Sequence, residues 1–290
     1  MTATNNRLGF VLMTLTSLVF ALQDGISRHL AAEYNVYMVV MVRFWFFAAF
    51  ALIWAHRNGG IRKVAQSKKP WLQWARGALL ALEICVTVVA FTLLGLTESH
   101  AIFVCYPLLI VALSGPLLGE KIGWFRWSAV GVGFLGVLII LQPGAGVFSP
   151  LAIIPLVGAF MFALYGIMTR YAGQYDSSIT SFFYNGTVGA LVMTAIGVFH
   201  WEPILGTDLA WLLLLCGTGI LGHWMLIKTY EIAEASAVQP FAYLQMPFAV
   251  AVGMMAFGET LRVNVAIGAA IIIGAGVFAL LRERRVKGAS

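Results

Sequence analysis

The chain has 290 residues, 61% of them hydrophobic and only 10% charged, with a mean hydropathy of +0.90. A soluble domain carries about 25% charged residues, so the composition excludes an ordinary soluble enzyme or binding module. The formal net charge of +6 comes from Lys and Arg that flank apolar runs rather than form one patch, which points to membrane topology and anionic lipid rather than nucleic acid.

A helix needs about 20 apolar residues to cross ~30 Å of hydrocarbon. In chain order the sequence predicts ten such spans, over 8–30, 36–55, 74–96, 99–118, 125–141, 151–171, 179–199, 209–230, 238–257 and 264–281, so the expected fold is all-α and polytopic. The first run is too long for the apolar region of a cleavable signal, and no small-residue cleavage site precedes Glu33. The joints at 96–99 and 233–238 are the tightest.

Short-loop Lys and Arg set the orientation. With a cytoplasmic N-terminus, Arg7, Arg57, Arg62, Lys63, Lys68, Lys69, Arg76, Lys121, Arg126, Arg170, Arg282, Arg284, Arg285 and Lys287 lie inside, 14 of the 18 basic residues. Arg28 and Arg262 fall outside, and Arg43 and Lys228 sit within spans. Both termini are then cytoplasmic, and the expected location is a bacterial inner membrane. Cys85, Cys105 and Cys216 lie within spans at no metal or disulfide spacing; no cofactor or metal is expected.

The stretches "YPLLIVALSGPLLGEKIGWFRWSAVGVGFLGVLIIL" (106–141) and "MPFAVAVGMMAFGETLRVNVAIGAAIIIGAGVFAL" (246–280) follow one plan: Pro, apolar helix, Gly-Glu, then a Gly/Ala-rich helix. Pro107 precedes Glu120 by 13 residues and Pro247 precedes Glu259 by 12. This predicts a duplication, residues 1–146 and 147–290. Five spans per copy put the second copy upside down, a plan common in secondary transporters with substrate near the midplane.

On the blocks "RFWFFAAFAL" from Arg43, "LLGEKIGWFRWSAVGVGFLGVLIILQPG" from Leu117 and "FGETLRVNVAIGAAIIIGAGV" from Phe257, the chain resembles the EamA-type ten-helix exporters of the drug/metabolite transporter superfamily. The resemblance covers nearly the whole chain. It implies export of a small molecule; such relatives move amino acids including aromatic ones, threonine, nucleobases, vitamins and toxic cations. Amino-acid export, with aromatic amino acids plausible, is the expectation, and a carrier of nucleobases, vitamins or organic cations the alternative. A channel or an intramembrane enzyme is more remote. The expected partners are the small-molecule substrate and the lipid bilayer, with the chain a monomer or homodimer.

Two motifs mislead. "GVGFLG" (131–136) and "GTGILG" (217–222) fit the dinucleotide fingerprint, but that motif works only between a strand and a helix start. Within apolar spans the glycines are read as close-packing positions. The "NGT" sequon at Asn185 lies inside a span, out of reach of glycosylation.

The residues that could meet a substrate are polar ones at depth. Glu83 stands in the apolar run "ALLALEICVTVVAF" (78–91), where a charge costs about 2.5–3.5 kcal/mol on insertion scales. It is either a protonated carboxyl bonded to another helix or a cavity group that binds a substrate ammonium or coupling proton. Counting about 1.5 Å per residue from Arg76 and Glu231 puts Glu83 and His223 at similar depth, so that the two could pair across a cavity. Asp24 and Arg43 also match in depth, and a structural or gating ion pair between them is expected, with Arg28 as a competing partner for Asp24. Gln23, Thr87, Tyr106, Tyr165, Trp224, Tyr243 and Gln245 complete the candidate lining. Pro107 and Pro247 are expected helix bends. His29 and His100 are read as hydrated near the outer interface, Lys228 as snorkelling, and Trp45, Trp54, Trp71, Trp124, Trp201 and Trp211 as interfacial or lipid-facing.

Overall fold

The computed structural model describes residues 6–120, 122–141, 150–204 and 206–287. The expected junction at 146/147 and Lys121 lie outside the described residues, as do the side chains of Arg126, Arg282, Arg284, Arg285 and Lys287. Among the described residues every regular element is helical.

Helix α1 (Asn6–Glu33) turns directly into α2 (Val36–Arg57), whose first turn is capped by Asn35 accepting from the Tyr37 amide at 2.9 Å. Gly59 and Gly60, at φ 105° and 95°, lead into the one-turn α3 (Ile61–Val64). Pro70 opens α4 (Pro70–Leu94), a position where its missing N–H is not needed. Helices α5 (Leu96–Phe103), α6 (Tyr106–Leu118) and α7 (Trp124–Leu141) follow. The second part of the chain comprises α8 (Ile153–Ala172), α9 (Ser178–Gly197), α10 (Asp208–Ile232), α11 (Ala235–Ala242), α12 (Gln245–Phe257) and α13 (Val263–Lys287).

Eight segments among the described residues are long and apolar enough to cross a bilayer. Two of the eight are interrupted: Leu96–Leu118, made of α5 and α6, and Ala235–Phe257, made of α11 and α12. The remaining two expected spans are α7 and α13, with shorter apolar stretches at Trp127–Ile140 and Val263–Ala275. The joint expected at 96–99 is a single residue, Gly95 at φ 82°, so the next helix already begins at Leu96.

The two interruptions have the same cause. Proline offers no N–H to the carbonyl four residues back; that carbonyl belongs to Phe103 for Pro107 and to Tyr243 for Pro247. Helix α5 ends at Phe103, and α11 ends at Ala242 with Tyr243 as its cap. Helices α6 and α12 both stop at a left-handed glycine, Gly119 (φ 69°) and Gly258 (φ 64°). In each case the next residue is a glutamate, Glu120 or Glu259.

Helix α1 packs along α10, α4 along α8 and α9, α2 along α9, and α7 along α13. At the last crossing the backbones nearly touch. A methyl added to Gly136 would stand 2.7 Å from the Gly268 carbonyl oxygen, and one on Gly268 would stand 2.6 Å from the Gly136 oxygen. This is small-residue packing of the kind membrane helices use. In "GTGILG", by contrast, Gly217 faces open space, while Gly219 and Gly222 leave room for the side chains of Arg43 and Phe20.

Candidate functional site

Seven helices, α1, α2, α4, α5, α8, α10 and α12, contribute to one internal cavity. Its apolar wall includes four phenylalanines, Phe20, Phe91, Phe103 and Phe162. Its polar side chains are Gln23, Asp24, Arg43, Glu83, Thr87, His223 and Gln245. The space is about 40 Å³, in a measure by which one water needs roughly 10–15 Å³. A few waters fit, and a metabolite does not: this conformation is closed around its centre.

The polar groups bond differently from the sequence expectation. Asp24 makes no ion pair with Arg43 among the described residues. Its Oδ2 accepts from Gln245 Nε2 at 3.2 Å and lies 3.2 Å from His100 Nε2, although that ring nitrogen is off line for a hydrogen bond. Arg28 does not compete for Asp24 either, because it reaches the end of the bundle and pairs with Glu259. Arg43 turns to His223, with Nη2 and Nε2 3.2 Å apart. The guanidinium can settle there because Gly219 has no side chain: a methyl at that position would stand 2.8 Å from Arg43 Nε.

Glu83 and His223 share the cavity without pairing. Glu83 Oε1 accepts from the Thr87 hydroxyl at 2.7 Å, one turn along α4. Tyr106 is not part of the lining but supports it, donating to Gln245 Oε1 at 3.4 Å. Tyr165, Trp224 and Tyr243 also lie outside the lining. Tyr165 is fully buried and its hydroxyl accepts from Asn185 Nδ2 at 2.6 Å. Trp224 packs against Trp54, with ring centroids 6.4 Å apart.

Other expectations are corrected in the same way. His100, read as hydrated, is buried, because α5 starts earlier than expected and carries it inward, stacked on Phe91. Arg76, taken as an interface marker, is fully buried; its Nη2 donates to Gln73 at 2.7 Å and to the Ser181 carbonyl at 2.5 Å. Lys228 pairs with Glu231. Trp54 is partly buried, whereas Trp45, Trp71, Trp124, Trp201 and Trp211 are exposed. His29 lies 3.3 Å from Asp208.

The cavity phenylalanines were missed, since nothing distinguishes a Phe facing a cavity from one facing lipid when only the order of residues is known. His100 had a signal: Gly95 ends one helix, and Thr97, Glu98 and Ser99, one residue further on, read as the start of the next.

Each end of the bundle is tied by one of the Gly-Glu turns. Glu259 accepts from the backbone amides of Leu96 (2.8 Å) and Thr97 (2.7 Å), the first residues of α5, and pairs with Arg28. Arg28 lies 4.1 Å over the ring of Phe257. Glu120 accepts from the amides of Ala235 (3.1 Å) and Ser236 (3.2 Å), the first residues of α11, and from the Ser236 hydroxyl at 2.5 Å. Arg170 lies 4.0 Å from it. The amides at a helix start have no partner within their own helix, and a carboxylate there also meets the positive end of the helix dipole. Burial pushes the Glu259 carboxyl up, but Thr97, the Leu96 amide and Arg28 outweigh it and hold the group below the usual glutamate range.

The profile of the EamA-like transporter family matches this chain twice, over residues 7–142 and 150–281. The chain belongs to the EamA-like transporter family. As a member of that family, and so of the drug/metabolite transporter superfamily, it is a multi-pass membrane transporter of a small molecule. It is 26% identical to an S-adenosylmethionine uptake transporter of Rickettsia felis, over 96% of this chain and 93% of that protein. It is 27% identical to a riboflavin transporter of Vibrio cholerae, over 91% and 90% of the two chains. A crystal structure at 18% identity superposes with a TM-score of 0.69 over 97% of this chain and 98% of the other, a likeness of fold.

Proposed function

We propose that this EamA-like transporter is a secondary carrier that takes up a metabolite built on a planar nitrogen heterocycle, by alternating access through the central cavity. The observation that carries the reading is the cavity itself: four phenylalanine rings around amide, imidazole, guanidinium and carboxylate groups. Rings of that kind suit a flat π-system, and the polar groups suit its heteroatoms. The relatives named for S-adenosylmethionine uptake and riboflavin transport favour the same class, since both molecules contain a fused nitrogen heterocycle. They favour the vitamin and nucleobase alternative over amino-acid export.

In this reading the chain has ten spans in two inverted five-helix repeats, residues 1–146 and 147–290, with both termini cytoplasmic. The double match to one family profile and the reciprocal ties of Glu120 and Glu259 support it. Each glutamate holds the first turn of an interrupted helix in the other repeat, and each has an arginine beside it. Both ties are made in the closed state. Release of the Glu259 tie would open the cavity to the outer face, and release of the Glu120 tie would open it to the cytoplasm.

The test is counterflow in liposomes containing the purified protein, with labelled riboflavin, S-adenosylmethionine, adenine and phenylalanine offered separately. Saturable exchange of at least one heterocycle, with phenylalanine inert, is the expected result. Exchange of phenylalanine alone, or of none of the four, would refute the proposed cargo class.

A further inference from the structure

Two buried polar groups in the cavity lining have hydrogen-bonding capacity with no partner among the described residues. His223 is 2% exposed, and its Nε2 faces the Arg43 guanidinium at 3.2 Å. A guanidinium can only donate, so Nε2 must accept, and the proton of the neutral ring sits on Nδ1. That Nδ1 has no partner among the described residues. Gln23 is 4% exposed, and its Oε1 is buried with no hydrogen-bond partner among the described residues. Gln23 lies one turn beyond Phe20 on α1, and the Phe20 ring is 5.1 Å from the His223 ring. The two groups therefore flank one aromatic wall.

An unsatisfied buried polar group is costly, and two of them in one lining are accounted for if a ligand completes them. We infer that His223 Nδ1–H and the Gln23 carboxamide read the hydrogen-bonding edge of the substrate ring, and that Arg43 acts as a positioning residue that fixes the His223 tautomer. The inference rests on the heterocycle reading above and deepens it. The matching edge has an acceptor for His223 beside a donor for Gln23. Riboflavin offers its ring carbonyls and N3–H in this pattern, and adenine offers N7 and its exocyclic amine.

Arg43 makes the recognition directional. Held at Nε2, the ring cannot exchange tautomers to offer Nδ1 as an acceptor, so a ligand edge of opposite polarity meets a donor with a donor. Gly219 belongs to the same device, since its missing side chain is what admits the guanidinium.

The experiment measures inhibition of counterflow by analogue pairs: riboflavin against N3-methylriboflavin, and adenine against 7-deazaadenine. In the unaltered protein each analogue, which lacks one edge group, should bind about 10- to 100-fold more weakly than its parent, the cost of leaving one buried hydrogen-bonding group unpaired. Gln23→Met should weaken riboflavin by a similar factor while leaving N3-methylriboflavin unchanged. His223→Leu should erase the preference for adenine over 7-deazaadenine. His223→Gln can still accept from Arg43 and donate to the ligand, and should retain that preference. Equal binding of parents and analogues by the unaltered protein would overturn this inference and leave the carrier reading standing; this result needs no variant to fold. Absence of any heterocycle flux would instead overturn the proposed heterocycle cargo, and this inference with it.

Discussion

Replacing Glu259 by Gln tests the tie that the proposed orientation puts at the outer face. The carboxylate accepts from two backbone amides, at 2.8 and 2.7 Å, and pairs with Arg28. The side-chain oxygen of Gln can keep one amide bond, so the substitution removes the other together with the charge. A hydrogen bond to a charged group contributes about 1.5–3 kcal/mol. Taking about 2 kcal/mol for the loss, the closed-to-open equilibrium at the outer face shifts about 30-fold, at 1.4 kcal/mol per factor of ten. The assay uses Thr87→Cys as a reporter in the cavity wall, with Cys85, Cys105 and Cys216 replaced by alanine. Reaction with a membrane-impermeant thiol reagent added outside should speed up about 30-fold in Glu259→Gln. The opposite sign is expected for Glu120→Gln, which loosens the inner face and slows labelling from outside. Equal labelling rates in both variants and the parent would refute the idea that these ties hold the two faces shut.

The same tie sets a pH dependence. The Glu259 carboxyl is held below the usual glutamate range, so its contribution is fully present above the ordinary value of about 4.3 and is lost as pH falls through the lower value in the closed state. Outside labelling, divided by the rate at an exposed control cysteine to remove the thiolate's own pH dependence, should be flat from about pH 8 to 5 and rise only below about pH 4.3; a rise centred near neutrality would contradict this. Gly219→Ala would put a methyl 2.8 Å from Arg43 Nε, whereas Gly217 faces open space, so counterflow should fall at least about tenfold in the first and stay within about twofold in Gly217→Ala. Gly136→Ala and Gly268→Ala each drive a methyl toward a backbone oxygen across the α7–α13 crossing and should each cost about 1–3 kcal/mol, read as a lower unfolding midpoint in detergent. Glu83→Gln keeps an acceptor for Thr87 and should abolish concentrative uptake while sparing the fold; unchanged transport would remove Glu83 from the pathway.

Hydrophobic runs and short polar joints made the helices legible, because a span must satisfy its own backbone and so shows itself in composition. The Pro-to-Gly-Glu spacing made the interrupted helices and their glutamates legible too. Their partners were not: Leu96, Thr97, Ala235 and Ser236 act mainly through backbone amides, which every residue but proline carries. Depth counting singled out Glu83, His223, Asp24 and Arg43, and all four line the cavity. It could not choose among partners, since helix rotation decides which of several groups at one depth actually meet.

The fate of the Asp24–Arg43 expectation shows what decided that choice. Both residues line the cavity, and charge alone would bring them together. Instead Arg43 lies over Gly219 on α10, a place that exists only because a neighbouring helix lacks a side chain there. From there it reaches His223, leaving Asp24 to Gln245 and to the neighbourhood of His100. An ion pair would have neutralised the cavity's guanidinium and one carboxylate against each other. The observed arrangement leaves one guanidinium and two carboxyl groups, those of Asp24 and Glu83, in the same small space, with Arg43 bonded to neither among the described residues. In the carrier proposed above, those side chains are then free to turn to a substrate, whose polar edge must exchange its water for protein partners as it enters.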